Sequence, residues 1–549
     1  MSAGSSGFLP TLAGLLIFET VAKTYIRARR CPSQHPLPTP IPMIPLITLT
    51  TLLCAASASA LEDRNNGNGN GHKTKTASAG SASTSASGGS SNVPTAYISV
   101  DSSKKYQEVD GWGSSQAFQR AEDLQGKFGL SPKNITYLLD LIYDVDKGAG
   151  FTILRNGIGS SNTSNSNFMN SIQPLDPGGP GKTNYTWDAY ASGQYPLAMQ
   201  AKRRGLPYLY ADAWSAPGYM KTNNDENNGG YLCGVSNATC ASGDWKQAYA
   251  DYLIQEWKYY SAGGLNITHL GLFNEPSFAP KYASMQTNGT QAAEIIKVLG
   301  QTLEKENIDV KITCCDDYGW DQQEALMAGL QAKGADGKSG EDYISVVTAH
   351  GYASPPTYPL STSRKVWQTE WADLSGQPRW TPYSFYNESG LGVHEGEGLT
   401  WASRIQVAFR DANVSAFLYW IGSENATSNS ALITTLGDSV IPSKRFWTFA
   451  QFSKFVRPGA RRIEASSNTM SLNVTAFQNT NGLVAVQVLN NLTEAYNVQA
   501  SFGSKGCSWA IPYVTNNDND LAEWAPIKTA QDGSFTGYVP ARSLVSWVQ

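Results

Sequence analysis

Two glutamates stand where packing alone has little use for them. Glu275 lies near the end of ITHLGLFNEP (267–276) and Glu370 inside KVWQTEWAD (365–373). Both follow short, apolar, β-rich runs of the kind that form strands covered on both faces. Carboxyls on opposite staves of one barrel can face each other about 5 Å apart, the separation that suits a retaining glycosidase. One must then hold a proton for the leaving oxygen while the other, ionised, attacks the anomeric carbon. The neighbours suggest which is which: Asn274 is placed to hold a sugar 2-hydroxyl, Tyr352 to hydrogen-bond the ionised partner, and Trp420 to form a sugar platform. On this reading Glu275 is the acid/base and Glu370 the nucleophile.

A single strand-end glutamate is more often one half of a satisfied ion pair; two in these contexts favour chemistry. Asp212, Asp316, Asp317 and Asp373 are rival carboxylates, and Asp316 and Asp317, after Cys314-Cys315, more readily orient neighbours or cap a helix. His350 comes without the G-x-S-x-G elbow of a serine hydrolase, so an orienting or substrate-lining role is expected.

Positioning such a pair takes a scaffold. Strand-like runs recur at 108–113, 150–159, 206–215, 267–276, 309–317, 343–352, 365–373 and 414–422, with amphipathic helices expected at 134–143, 245–260, 292–306 and 400–413. Eight such units predict an α/β fold, a (β/α)8 barrel with generous loops. Their C-terminal ends carry Arg155, Asn156, Trp214, Asn274, Glu275, Asp316, Asp317, His350, Tyr352, Glu370, Trp371 and Trp420, and a barrel gathers those ends on one face. The barrel is expected over 110–458. Residues 459–549 alternate apolar and polar in short runs such as LVAVQVL, which predicts an appended antiparallel β-sandwich; 96–109 reads as its first strands, making the side domain discontinuous.

The chain has 549 residues, long enough for a large barrel and an accessory domain, and a formal net charge of −4 with no basic block, which argues against nucleic acid. Residues 43–60, MIPLITLTTLLCAASASA, read as a signal peptide within a 1–60 leader, with Met43 as an alternative start; 61–95 is a Gly/Ser/Asn-rich linker. Sequons such as Asn134, Asn184, Asn237 and Asn266 agree with a secreted glycoprotein that keeps no membrane span once the signal is cut. Cys233 and Cys240 flank a short polar loop and are the expected disulfide; with Cys314, Cys315 and Cys507 the cysteines beyond the leader are five, an odd number, so at least one stays free. Zinc fits poorly, because paired C-x-x-C spacing is missing and there are only 5 histidines. Nothing signals oligomerisation, and a monomer is expected.

The stretches VDGWGSSQAFQRAED (109–123), GFTILRNGIGSS (150–161), DAWSAPGYMKTN (212–223), LGLFNEP (270–276), HGYASPP (350–356), WQTEWADLSG (367–376), FLYWIG (417–422) and PSKRFWTFAQFSKFVRPGA (442–460) together resemble glycoside hydrolase family 30, from about residue 96 to the end, and within it the fungal xylan-active subfamily 7. The resemblance implies a barrel fused to a β side domain, retention of configuration, no metal or other cofactor, and the same roles for Glu275 and Glu370. It implies xylan, and glucuronoxylan in particular, as the polysaccharide partner: Arg120 matches an arginine that binds the 4-O-methylglucuronic acid branch, and a guanidinium fork suits a carboxylate. The competing reading pairs Arg120 with Glu122 or Asp123. Asn167, in the loop after the second strand, matches an asparagine tied to release of xylobiose from chain ends. Trp112, in Gly111-Trp112-Gly113, is expected beside the scissile bond, and Arg155, Trp214 and His350 join the substrate-binding set. A change of sugar to β-1,6-galactan, β-1,6-glucan or glucosylceramide is the enzyme alternative; a carbohydrate-binding protein without catalysis, or a wall protein built on the Gly/Ser tract, is a weaker one.

Overall fold

The structure is a computed structural model and describes residues 93–162, 169–374, 380–387, 396–502 and 508–549. The leader, almost all of the linker, Asn167 and Cys507 lie outside these residues. Eight strands form the barrel: β2 (Gly111–Ser115), β3 (Ile153–Ile158), β4 (Tyr208–Ala213), β5 (His269–Gly271), β6 (Lys311–Asp317), β7 (Ile344–His350), β8 (Lys365–Glu370) and β9 (Ala416–Glu424). Each pairs in parallel with its successor, and β9 pairs with both β8 and β2, so the sheet closes. With side chains inside the barrel and helices outside, almost every strand residue is buried, which accounts for their unbroken apolar look. Towards the N-terminal end the interior is filled by Ile153, Tyr210, Val346, Trp367, Ala416 and Leu418.

Seven α-helices flank the barrel among the described residues: α1 (Pro132–Tyr143), α2 (Gln194–Arg203), α3 (Lys246–Ala262), α4 (Gly289–Glu306), α5 (Trp320–Gln331), α6 (Gly398–Arg410) and α7 (Lys444–Ser453). Their starts follow local chemistry. Ser131 caps α1 ahead of Pro132, and Asn288 with Gln291 forms a capping box on α4. The expected eighth helix is missing: between β7 and β8 the chain runs through bends, where Pro355, Pro356 and Pro359 remove the amides a helix would need. A strand pair that the sequence did not announce, β10 (Ala431–Leu436) and β11 (Ser439–Pro442), extends the sheet beyond β9. None of these helices is long and apolar enough to cross a membrane.

The second sheet is led by β1 (Thr95–Glu108), which pairs antiparallel with β12 (Arg461–Ser467) and parallel with β15 (Tyr496–Ser501). That parallel pair departs from the wholly antiparallel sheet expected; it arises because β1 comes from the other end of the chain. The remaining strands are β13 (Leu472–Gln478), β14 (Val484–Asn490), β16 (Trp509–Thr515), β17 (Ala522–Glu523), β18 (Ile527–Lys528), β19 (Ser534–Val539) and β20 (Ser543–Val548). Phe535 on β19 meets Trp547 on β20 with ring centroids 5.3 Å apart, so the sheet folds over its own core of Ile463, Val486, Val488 and Trp547. Gln451 of α7 donates to the carbonyls of Tyr513 and Leu544, and Gln406 of α6 to those of Asn473 and Gln487, joining barrel to sheet through buried hydrogen bonds. Cys233 and Cys240 are disulfide-bonded, and the adjacent Cys314 and Cys315 are bonded to each other.

Trp112 corrects an expectation. Side chains alternate along β2, and this one points out of the barrel: its ring stacks on Phe409 of α6 at 4.7 Å, lies 5.5 Å from Phe452 of α7, and its Nε1 donates to Val456 O at 2.9 Å. It packs helices onto the barrel and touches no cleft. Trp112→Ala is therefore expected to lower the unfolding free energy by about 3–5 kcal/mol in urea denaturation and to leave KM of the folded fraction unchanged; a raised KM with intact stability would return Trp112 to the cleft.

Candidate active site

Strand ends bring the two glutamates together. Glu370 is the last residue of β8, where a register shift against β7 sets it opposite His350. Glu275 lies four residues beyond β5 in left-handed backbone, φ 51°, with its amide donating to Asp316 O at 2.8 Å; Asp316 is also left-handed, φ 53°. Such conformations cost free energy in residues other than glycine and gather at functional sites. One carboxyl oxygen of Glu275, one of Glu370 and a ring nitrogen of His350 all lie within 4.8 Å of one another, and both glutamates are buried apart from a small exposed edge. Carboxyls this close leave no room for a water between them and suit direct attack on a sugar carbon.

Beneath the pair lies a buried ionic network. Arg155, on β3, is fully buried; Nη1 donates to Glu370 Oε2, and Nη2 donates to Asp212 Oδ2 at 2.7 Å and to Asn274 Oδ1 at 2.5 Å, with Asp316 Oδ1 3.4 Å away. Asp316 takes hydrogen bonds from Tyr210, Thr348 and Thr369 at 2.5, 2.5 and 2.6 Å. His350 reaches Glu275 Oε1 through Nδ1 at 3.2 Å, and its Nε2 is 3.4 Å from Asp316 Oδ1 and 3.7 Å from Glu370 Oε2. Arg155 was expected to touch substrate, and His350 to orient its neighbours or line the substrate; with no exposed surface, both act by holding the carboxylates.

Proton positions follow from these neighbours. Burial works against a charge on His350, but the Glu370 carboxylate, then Asp316 and Glu275, outweigh it and raise the imidazole to about 10. Burial alone would raise Asp316, yet Arg155 and His350 drive it down to about 2. Asp212 moves the other way: burial and the charge of Asp316 raise it well above the ordinary carboxylate range. Burial raises Glu370 too; His350 and Arg155 oppose the rise and Glu275 adds to it. The phenol of Tyr352 is raised by burial and by the charges of Glu370 and Glu275. Glu275, His350 and Glu370 are also the described residues whose donor atoms converge as a metal set would, but Arg155 and the imidazolium already supply the positive charge that these carboxylates need.

Aromatic rings wall the cleft. Trp214, almost fully buried, lies under the Arg155 guanidinium, 4.4 Å from ring centroid to Cζ, and meets half-buried Trp420 at 5.8 Å. Phe118 packs its edge against Trp214 and Tyr282, and the Tyr282 hydroxyl donates to Glu275 Oε2 at 2.9 Å. Sequence reasoning missed Phe118 and Tyr282; the first lies in a quoted motif, while the second sits in an irregular loop with no periodicity to single it out. Asp317 binds Ser277, Asp373 accepts from Asn429, Asn156 points to Gln194 and Tyr260, and Trp371 packs under Arg404, so none of these joins the pair. Arg120 pairs with neither Glu122 nor Asp123: its Nε donates to Glu424 Oε1 at 3.1 Å and its Nη1 to Phe118 O, while Lys127 takes Glu122 and Thr435 takes Asp123. Because the folded value of His350 lies above its ordinary 6.5, its contribution to stability is complete below pH 6.5 and is lost as pH rises through about 10. The melting-temperature advantage of wild type over His350→Gln should shrink across that window; a constant difference would contradict a charged His350.

Known proteins show the same architecture. Residues 95–349 match the O-Glycosyl hydrolase family 30 profile, and 459–547 the Glycosyl hydrolase family 30 beta sandwich domain. The catalytic domain of the GH30 xylanase C from Talaromyces cellulolyticus superposes with a TM-score of 0.74 at 38% identity, covering 82% of this chain and 99% of that one. An endo-1,6-beta-D-glucanase of Trichoderma harzianum is 23% identical, over 84% of this chain and 88% of its own. A glucuronoxylanase of Bacillus subtilis is 22% identical, over 62% and 73%. A closed barrel joined to a β-sandwich, two facing glutamates at the ends of its fourth and seventh strands, and these matches across both domains lead to one conclusion: the chain belongs to glycoside hydrolase family 30.

Proposed function

We propose that the protein is a secreted retaining xylanase that cleaves β-1,4-xylosidic bonds, with Glu370 as nucleophile and Glu275 as acid/base. The observation that carries the roles is the asymmetry of the pair. Glu370 is ion-paired to Arg155, whereas Glu275 meets no guanidinium and has the Tyr282 hydroxyl and His350 as partners. The carboxyl paired with the guanidinium is the attacker, and the other is the proton donor. A Glu370 oxygen bonds to the anomeric carbon as the glycosidic C–O bond breaks, and the leaving oxygen takes the proton of Glu275. Glu275 then takes a proton from water, whose oxygen displaces Glu370. Arg155 engages the oxygen of the Asn274 amide, which turns the amide nitrogen towards a sugar hydroxyl. Trp420 offers a ring face beside it.

Xylan is favoured by the 38% identical xylanase, which this chain covers almost end to end. Branch recognition rests on Arg120, whose guanidinium is held at the rim by Glu424, so a glucuronic acid carboxylate must share or displace that partner. Xylobiose release rests on Asn167, which lies outside the described residues. The competing reading, a β-1,6-glucanase, draws on the Trichoderma harzianum relative and on Glu424, which satisfies Arg120 without an acidic substrate. Secretion rests on residues 43–60.

Mass spectrometry of the products from glucuronoxylan, arabinoxylan and β-1,6-glucan, with Glu370→Gln as blank, separates these readings. Xylo-oligosaccharides are expected, with Arg120→Ala about tenfold slower on glucuronoxylan and unchanged on linear xylo-oligosaccharides, the worth of one charge-assisted hydrogen bond. Glucose oligomers from β-1,6-glucan alone would overturn the substrate, and equal rates for wild type and Arg120→Ala the branch reading.

A further inference from the structure

Lys221, in the loop after β4, is an unusual buried amine: it is 1% exposed, burial lowers its pKa to about 7, and its hydrogen bonds go to main-chain carbonyls and to no carboxylate. Its Nζ donates to Asp225 O at 2.7 Å, Glu226 O at 3.1 Å and Ser284 O at 2.6 Å, which uses all three ammonium hydrogens. Two of those carbonyls belong to its own loop and the third to the loop after β5, so one side chain ties two loops together. Around it the same loops are laced by Ser284 N to Glu226 O (2.9 Å), Gly229 N to Ser284 Oγ (2.9 Å), Gln286 N to Gly230 O (2.7 Å) and Asn228 N to Pro280 O (3.0 Å).

Between the anchored Pro280 and Ser284 stands Tyr282, whose hydroxyl donates to Glu275 Oε2 at 2.9 Å. Its side chain is 38% exposed, so packing alone does not fix it; its place depends on the backbone that presents it. Removing the amine takes a donor from each of three carbonyls; Glu226 O keeps the Ser284 amide and Ser284 O the Ser215 hydroxyl at 3.3 Å, so the loss falls chiefly on Asp225 O, and the loop relieves it by shifting. A shift of a fraction of an ångström there moves the Tyr282 hydroxyl off Glu275.

We propose that Lys221 is a positioning residue for acid catalysis: by binding three carbonyls it holds the loop that presents Tyr282 to Glu275. This rests on Glu275 being the acid/base. When the leaving oxygen needs a proton, misplacing Tyr282 slows the first step; when it leaves unaided, that step, read by kcat/KM, is unchanged.

The test compares Lys221→Met, Tyr282→Phe, their double variant and Glu275→Ala on phenyl and dinitrophenyl β-xylobiosides, with the dinitrophenol burst counting folded sites. Lys221→Met is expected to lower kcat/KM on the phenyl substrate about tenfold, as Tyr282→Phe does, and to change kcat/KM on the dinitrophenyl substrate by less than about twofold, with the double variant no worse than either single one. Equal losses on both substrates, or multiplied losses in the double variant, would overturn the proposal. Should Lys221→Met not fold, Lys221→Gln, which keeps an amide donor, is read by the same criteria. If Glu275→Ala shows the leaving-group split and the Lys221 variants do not, only the link through Lys221 is wrong; if Glu275→Ala loses both substrates equally, the acid/base assignment fails and the proposal with it.

Discussion

A guanidinium buried at the mouth of the barrel is the constraint from which the rest follows. Taking Arg155 out of water costs several kcal/mol unless carboxylates and hydrogen-bond acceptors surround it. The chain supplies Glu370 from β8, Asp212 from β4, Asp316 from β6 and the amide oxygen of Asn274 beyond β5. No single loop presents four such groups to one point. A closed parallel barrel does, because the C-terminal ends of its strands converge.

The network also creates an inequality between two otherwise similar glutamates. Arg155 holds its charge against Glu370, His350 lies between the two glutamates, Asp316 answers both cations, and burial with the charge of Asp316 raises Asp212 well above the ordinary carboxylate range. Glu370 takes its place among the paired charges, whereas Glu275 stands on a distorted stretch of backbone beside a phenol. The positive φ at Glu275 and Asp316 is tolerated because hydrogen bonds on either side fix both residues. Opposite jobs for two carboxyls are thus written in their surroundings rather than in their chemistry.

Much of this is legible in the sequence, and what is not has physical reasons. Strands buried on both faces leave unbroken apolar runs, so all eight were found, and a carboxylate at the end of such a run stands out, as Glu275 and Glu370 did. Direction is harder to read: Trp112 turns outward and Arg155 downward, since alternation within a short strand does not say which parity faces the substrate. The helix missing after β7 was foreshadowed by its prolines, yet the regular rhythm of the barrel overrode them. Tyr282 and the pairing of Arg120 with Glu424 join residues through irregular loops, where no period relates spacing to distance. The same holds for β1, whose parallel partner lies some four hundred residues away.

The central claim is that Arg155 sets Glu370 apart as the nucleophile, and trapping the covalent intermediate tests it most directly. A 2-deoxy-2-fluoro xylobioside with a dinitrophenol leaving group, incubated with the protein and followed by peptide mass spectrometry, should leave one sugar on the peptide that carries Glu370. A label on Glu275 or Asp212, or turnover that yields the inverted anomer with no label at all, would contradict the account.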